Sequence, residues 1–273
     1  MTLSNKSIAS LEMTAKEIRQ IVLKIIVKAH ASHIASAYSI VEILVYIYSY
    51  LFHFKLKNNS GGDKFLLSKG WGVSALYAIL AQKNIINKKL LKTYCKNGSL
   101  LIGIATYNGL PGIDASTGSA GHGFPIGVGM ALGMKLNKQR NKVYVLIGDG
   151  EMDEGTTWES ALIAAHHNLN NLIVIVDYNK WQSFGRTNDV LNLEPLFAKW
   201  QSLGWAVQEI DGHNFNEIAH AFGRAIKEGE KPSVIIAHTI KGKGLSSIED
   251  DNTYHYKTPQ KRELARAKKE GLL

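Results

Sequence analysis

The chain has 273 residues, 45% of them apolar, with 25 glycines, five prolines, a single cysteine and a formal net charge of +9. One cysteine excludes an internal disulfide framework and a cysteine-built metal cluster, and it makes a reducing compartment, the cytoplasm, the expected setting. No aromatic-basic reader motif accompanies the positive charge, so it reads as a solvated surface that favours anionic ligands, and no nucleic-acid partner is expected.

Ile18, Ile21, Val22, Ile25, Ile26 and Ala29 recur at i, i+3, i+4 and i+7, which predicts an amphipathic helix over 13–29. A second, more buried helix is predicted over 39–54. It carries Glu42 and His53 and is short for a bilayer span, so no membrane helix is expected. A short strand at 65–68 runs into Lys69-Gly70-Trp71-Gly72, and a helix follows through Ala81. A turn at 109–112 precedes a small-residue loop, 117–123, which opens a helix over 124–136. The runs 143–147 and 172–177 are short and rich in β-branched residues, as buried parallel strands are. An alanine-rich helix at 157–167 connects them, and further strands are predicted at 205–210 and 233–238. No repeat and no Pro/Gly/Ser linker divides the chain. The expectation is one α/β domain over 1–273, with a mainly parallel sheet and helices on both faces.

The strand-helix-strand unit brings the ends of 143–147 and 172–177 to one edge of the sheet, the edge at which open parallel sheets bind ligands. Asp149 follows the first strand in Gly148-Asp149-Gly150-Glu151, and Asn179 follows the second. A carboxylate and an amide oxygen facing one point, beside bare glycine backbone, suit a Mg²⁺-bound diphosphate. A backbone carbonyl near Trp181 is a candidate third oxygen ligand. Gly118 and Gly150 each stand before a predicted helix, where amides meet phosphate oxygens. Glu154 and Glu159 fall on the first turns of the helix after Gly150. His33 lies close to a helix end and is placed to enter a cleft. Lys241 or Lys243, in Lys241-Gly242-Lys243-Gly244 after a strand, is a candidate anion contact.

Together these phrases resemble the thiamine-diphosphate-binding half of transketolase, over about residues 18–255. The matching phrases are Asp114 to Gly123, Val128-Gly129-Met130-Ala131, Gly148-Asp149-Gly150-Glu151 with Glu154-Gly155, Trp158-Glu159, Asp177-Tyr178-Asn179-Lys180, Asp211-Gly212-His213, Lys231-Pro232, and Thr239 to Gly244. The resemblance implies that Asp149, Asn179 and the carbonyl of Trp181 ligate Mg²⁺. It implies that Gly118 and Gly150 touch the diphosphate, and that Glu154 lies at a dimer contact between cofactor sites. His33 matches a histidine near the reacting sugar, and His255, in Tyr254-His255, resembles a Trp-His pair.

Two family histidines are replaced. Trp71 stands where the family has the histidine of Ser-Lys-Gly-His, which contacts the cofactor's phosphate. Gly103-Ile104-Ala105 replaces Gly-His-Pro. Tryptophan can pack against a cofactor but cannot replace a protonatable imidazole. The family's second thiamine domain supplies a glutamate that activates the cofactor, and this chain offers no counterpart. The expectation is therefore the N-terminal subunit of a split transketolase. It would need a separate C-terminal partner in a hetero-oligomer built on a dimer, and would move a two-carbon ketol unit between sugar-type carbonyl compounds. Two alternatives are an enzyme using pyruvate, a keto acid, as donor, and a non-catalytic scaffold.

Overall fold

The computed structural model describes residues 3–51 and 62–273. Three helices come first: α1 (Asn5–Ala29), α2 (Ile34–Tyr38) and α3 (Val41–Tyr46). Strand β1 (Lys64–Leu67), α4 (Val73–Gln82) and α5 (Gly123–Leu136) follow. Next come β2 (Val143–Gly148), α6 (Gly155–His166), β3 (Leu172–Tyr178), α7 (Thr187–Val190) and α8 (Leu196–Ser202). The chain closes with β4 (Ala206–Asp211), α9 (Phe215–Lys227), β5 (Ser233–His238) and α10 (Lys261–Lys269). Among the described residues the five strands form one parallel sheet in the order β1-β2-β3-β5-β4.

The unbroken apolar strands arise because both sheet faces are covered. On β2, Tyr144 and Leu146 pack with residues of α1, α3, α4 and α9, while Val143, Val145 and Ile147 pack with residues of α5, α6 and α8. β3 divides the same way, with Ile173 and Ile175 on the first side and Leu172, Val174 and Val176 on the second. The register sets Gly148 opposite Asp177, and Asp177 opposite Ala237, so β2, β3 and β5 end level at one edge. Among the described residues no helix is long and apolar enough to cross a membrane.

Two predicted elements differ. Helix α1 starts at Asn5, well before the apolar pattern, because the Ser4 side chain accepts from the Ser7 amide and caps it. The helix predicted over 39–54 is broken. Ile40 leaves helical geometry (φ −103°, ψ 6°), Ser39 Oγ donates to Asp177 at 2.7 Å, and α3 passes into a π-helical turn at Ile47–Leu51. Residues 52–54 of that prediction lie outside the described residues. Helix α9 went unpredicted although Phe215, Ile218, Ala219 and Phe222 carry the helical spacing and Asn214 caps it.

Candidate functional site

The level strand ends open onto a cavity of about 280 Å³ whose lining includes Asp149, Asn179, Lys241, Trp71, His33 and His255. The volume lies at the small end of ligand sites, enough for the polar end of a larger guest.

Two carboxylates stand at its base. Asp177 ends the apolar run of β3 and is fully buried. It accepts from Ser39 Oγ at 2.7 Å, Thr239 Oγ1 at 2.5 Å and Asn179 Nδ2 at 2.8 Å, and it pairs with the buried Lys69. Burial would raise its carboxyl, but the Lys69 charge and the bonds from Lys69, Thr239 and Ser39 outweigh it and hold it below the usual range. Because Asn179 gives its amide nitrogen to Asp177, its Oδ1 is left as an acceptor, and the Trp181 amide donates to it at 3.1 Å. Asp149 is also buried. Among the described residues it accepts only from the Gly150 amide at 3.0 Å and Thr187 Oγ1 at 2.9 Å, and no cation pairs with it. Burial, and then the charge of Asp177, push its carboxyl up to about 7. A desolvated carboxylate with spare lone pairs is a seat for a hard cation.

The floor is backbone. Gly118 has φ +106°, and a Cβ there would lie 2.5 Å from Ile104 Cγ2. A Cβ on Gly70 would lie 2.8 Å from the Gly118 Cα, so the two strips of chain approach this closely only because Gly70 lacks a side chain. Thr117 pins this loop to β1, its Oγ1 donating to the Leu67 carbonyl at 2.5 Å. Glu151 locks it to β2, accepting from the Gly121 amide at 3.1 Å, the Gly148 amide at 3.2 Å and Ser68 Oγ. Burial pushes the Glu151 carboxyl up to about 7 against those bonds.

The opposite wall carries cation and imidazoles. Lys241 is buried, and its Nζ donates to Asn252 Oδ1 at 2.6 Å and lies 3.2 Å from His255 Nδ1. Burial and then the neighbouring Lys69 charge lower it to about 8. His33, at φ +68° between α1 and α2, donates its amide to the His255 carbonyl at 3.1 Å. The two rings meet edge-to-face at 4.9 Å. Burial, then Lys241, lower His33 to about 4 and His255 to about 3, so both are neutral imidazoles at pH 7. Trp71 and Ile104 complete this side as apolar surface.

Most residues singled out in the sequence thus line one cavity: Asp149, Asn179, Trp181, Gly118, Gly150, Trp71, Lys241, His33 and His255. Gly150, Glu154 and Lys243 are placed differently from the rest. Gly150 opens no α-helix; it sits inside a 3₁₀ turn, Asp149–Asp153, because α6 starts only at Gly155. Glu154 does not line the cavity. It precedes α6 with its side chain exposed. Of the two lysines, Lys243 also lies outside the lining. Sequence reading missed Lys69 and Asp177 as the pair that organises the site. A charged residue closing an otherwise apolar strand was the available signal, since such a charge must be paired.

The donor set fits Mg²⁺ and a diphosphate: among the described residues, one carboxylate without a cation partner, one oriented amide oxygen, a floor in which Gly70 and Gly118 admit no Cβ, and a buried lysine without a carboxylate partner. The family described as "Transketolase, thiamine diphosphate binding domain" matches residues 10–271. The chain belongs to the transketolase family. It is 42% identical over 249 residues to a 6-deoxy-6-sulfo-D-fructose transketolase subunit of Clostridium sp. (strain MSTE9), covering 90% of each chain. It is 38% identical over 269 residues to an apulose-4-phosphate transketolase subunit of Actinobacillus succinogenes, covering 97% of each. The crystal structure of transketolase from Campylobacter jejuni subsp. jejuni NCTC 11168 superposes with a TM-score of 0.88 at 26% identity, over 96% of this chain but only 42% of that one.

Proposed function

We propose that this chain is the N-terminal subunit of a two-chain transketolase-like transferase, moving a two-carbon ketol unit between small sugar-type carbonyl compounds with Mg²⁺ and thiamine diphosphate. The observation that carries the reading is the buried Asp149 carboxylate, with one hydrogen bond to each oxygen and no cation beside it among the described residues, lining one cavity with the oriented Asn179 amide and Lys241. Asp149, Asn179 and the Trp181 carbonyl hold the metal. Gly118, Gly150 and Lys241 receive the diphosphate, and Trp71 packs along the cofactor. Bound thiamine diphosphate supplies the electron sink for carbon–carbon bond cleavage and formation. His33 and His255, neutral at pH 7, orient a substrate hydroxyl or move its proton. All of 1–273 serves as one diphosphate-binding domain, working in the cytoplasm.

A second polypeptide completes the site. Supporting this, the chain matches proteins named as transketolase subunits nearly end to end, yet spans about two fifths of a solved transketolase. Glu154, exposed at the start of α6, is assigned to a contact within the assembly. The test is calorimetry of the reconstituted pair with Mg²⁺ and thiamine diphosphate, with Asp149→Ala as control, followed by assays with ketose phosphates and with pyruvate. Mg²⁺-dependent binding lost in the control, and turnover of a ketose donor by the pair alone, are expected. A pair that binds no cofactor leaves the scaffold reading standing, turnover with pyruvate only moves the enzyme to another donor class, and turnover by the isolated chain defeats the split-site assignment.

A further inference from the structure

Lys241 sits in a turn after β5, closed by the Lys243 amide donating to the Ile240 carbonyl at 3.1 Å and by the Asp250 amide donating to the Lys241 carbonyl at 2.8 Å. The turn is also held from two sides by a single buried carboxylate on another element. Glu42, on α3, binds Arg19 of α1, whose Nη2 lies 2.7 Å from Oε1 and 2.9 Å from Oε2. The same guanidinium reaches the loop, Nε donating to the Lys243 carbonyl at 2.6 Å. On the other side, Glu42 Oε2 lies 3.0 Å from His213 Nδ1, and His213 Nε2 lies 2.9 Å from the Ile240 amide nitrogen. An amide N–H can only donate, so Nε2 is the acceptor. The imidazole proton is therefore on Nδ1 and is given to Glu42. The tautomer follows from the partners.

The residues just before and two after Lys241 are thus tethered to one carboxylate. The loop's glycines fit this arrangement. Gly242 has φ +84° and donates its amide to the Ala35 carbonyl at 3.0 Å. A Cβ at Gly244 would lie 2.6 Å from Arg19 Nε, so that glycine is what lets the guanidinium reach the Lys243 carbonyl. Arg19, Glu42 and His213 do not line the cavity.

We propose that Glu42 and His213 are positioning residues, which with Arg19 clamp the loop from Ile240 to Lys243 so that Lys241 Nζ stays in the cavity to receive the cofactor's diphosphate. The inference rests on the reading above that Lys241 meets thiamine diphosphate. It gives a role to Asp211-Gly212-His213, a phrase that the cavity itself leaves unexplained.

The experiment is a double-mutant cycle on the full chain with its partner protein, reading thiamine diphosphate affinity by calorimetry in excess Mg²⁺ and melting temperature in its absence. His213→Ala should weaken binding on the order of tenfold, the scale on which supporting partners act through a site residue. In a Lys241→Met background the same substitution should change affinity less than about twofold, since its effect is spent through Lys241. His213→Gln, whose amide can bridge Glu42 and the Ile240 N–H, should stay within about twofold of wild type; it carries the test if the alanine variant does not fold. Equal losses in both backgrounds overturn the inference, and so does a glutamine variant that melts like wild type but binds on the order of tenfold more weakly. If the wild-type pair binds no thiamine diphosphate, the reading under Proposed function falls and takes this inference with it; the other outcomes leave that reading intact.

Discussion

The two carboxylates at neighbouring strand ends are alike in sequence and opposite in state. Asp177 receives bonds from Ser39, Asn179, Thr239 and Lys69, and its carboxyl lies below the usual range. Asp149, equally buried, receives bonds from one amide and one hydroxyl, and its carboxyl is pushed up to about 7. A saturated acid beside an unsaturated one separates architecture from binding. Asp177 holds β3, Lys69 and the Asn179 amide in place, while Asp149, without a cation among the described residues, is the acid that the proposed function assigns to the metal.

The largest effect that can break this comparison is on stability. Asp177→Ala leaves Lys69 buried without a partner and should cost about 3–5 kcal/mol, read by denaturant unfolding. Asp149→Asn should leave stability unchanged or raised, because it removes a charge that folding penalises, while abolishing Mg²⁺-dependent cofactor binding. If the two variants exchange these phenotypes, the division of labour is wrong.

The pH dependences have opposite signs. The folded value of Asp149 lies above its ordinary 3.8, so between about 4 and about 7 the folded chain keeps a proton that the unfolded chain releases. Its contribution to stability falls as pH rises through that window, whereas the proposed metal binding, which needs the carboxylate, should strengthen as pH rises through about 7. Asp177 has a lowered folded value. Its contribution is fully present above 3.8 and is lost as pH falls through the depressed value. Mg²⁺ titrations at pH 6 and pH 8 should show tighter binding and proton release at the higher pH in wild type, and neither in Asp149→Asn. A pH-independent affinity would remove Asp149 from the metal site.

How much of this was legible depended on range. The parallel sheet and the convergence of Asp149 with Asn179 could be read because periodicity and crossover topology are local rules. The difference between Asp149 and Asp177 could not. It depends on Ser39 and Lys69, which reach β3 from 138 and 108 positions away, and no sequence spacing encodes that approach. The break at Ile40 was hidden for the same reason: a continuous apolar run looks helical until one of its serines is drawn to a distant carboxylate. His33 and His255 could be nominated, but their neutrality comes from burial and from the charge of Lys241, both properties of the folded cavity.

The smallest expected effect tests whether the glycine floor belongs with Asp149 or with Asp177. Gly118 holds a left-handed φ of +106°, and an added Cβ would press on Ile104 Cγ2 at 2.5 Å. Gly118→Ala should therefore cost about 1–2 kcal/mol of stability from backbone strain, and, under the proposal that Gly118 receives the diphosphate, cofactor affinity should fall further on the order of tenfold. Ile104 is 42% exposed, so trimming it relieves the collision without opening the core. Adding Ile104→Ala should recover the steric part of the stability loss, while the φ strain and the binding loss remain. A floor that belonged with Asp177 would lose stability and affinity in proportion, and both would return together in the double variant.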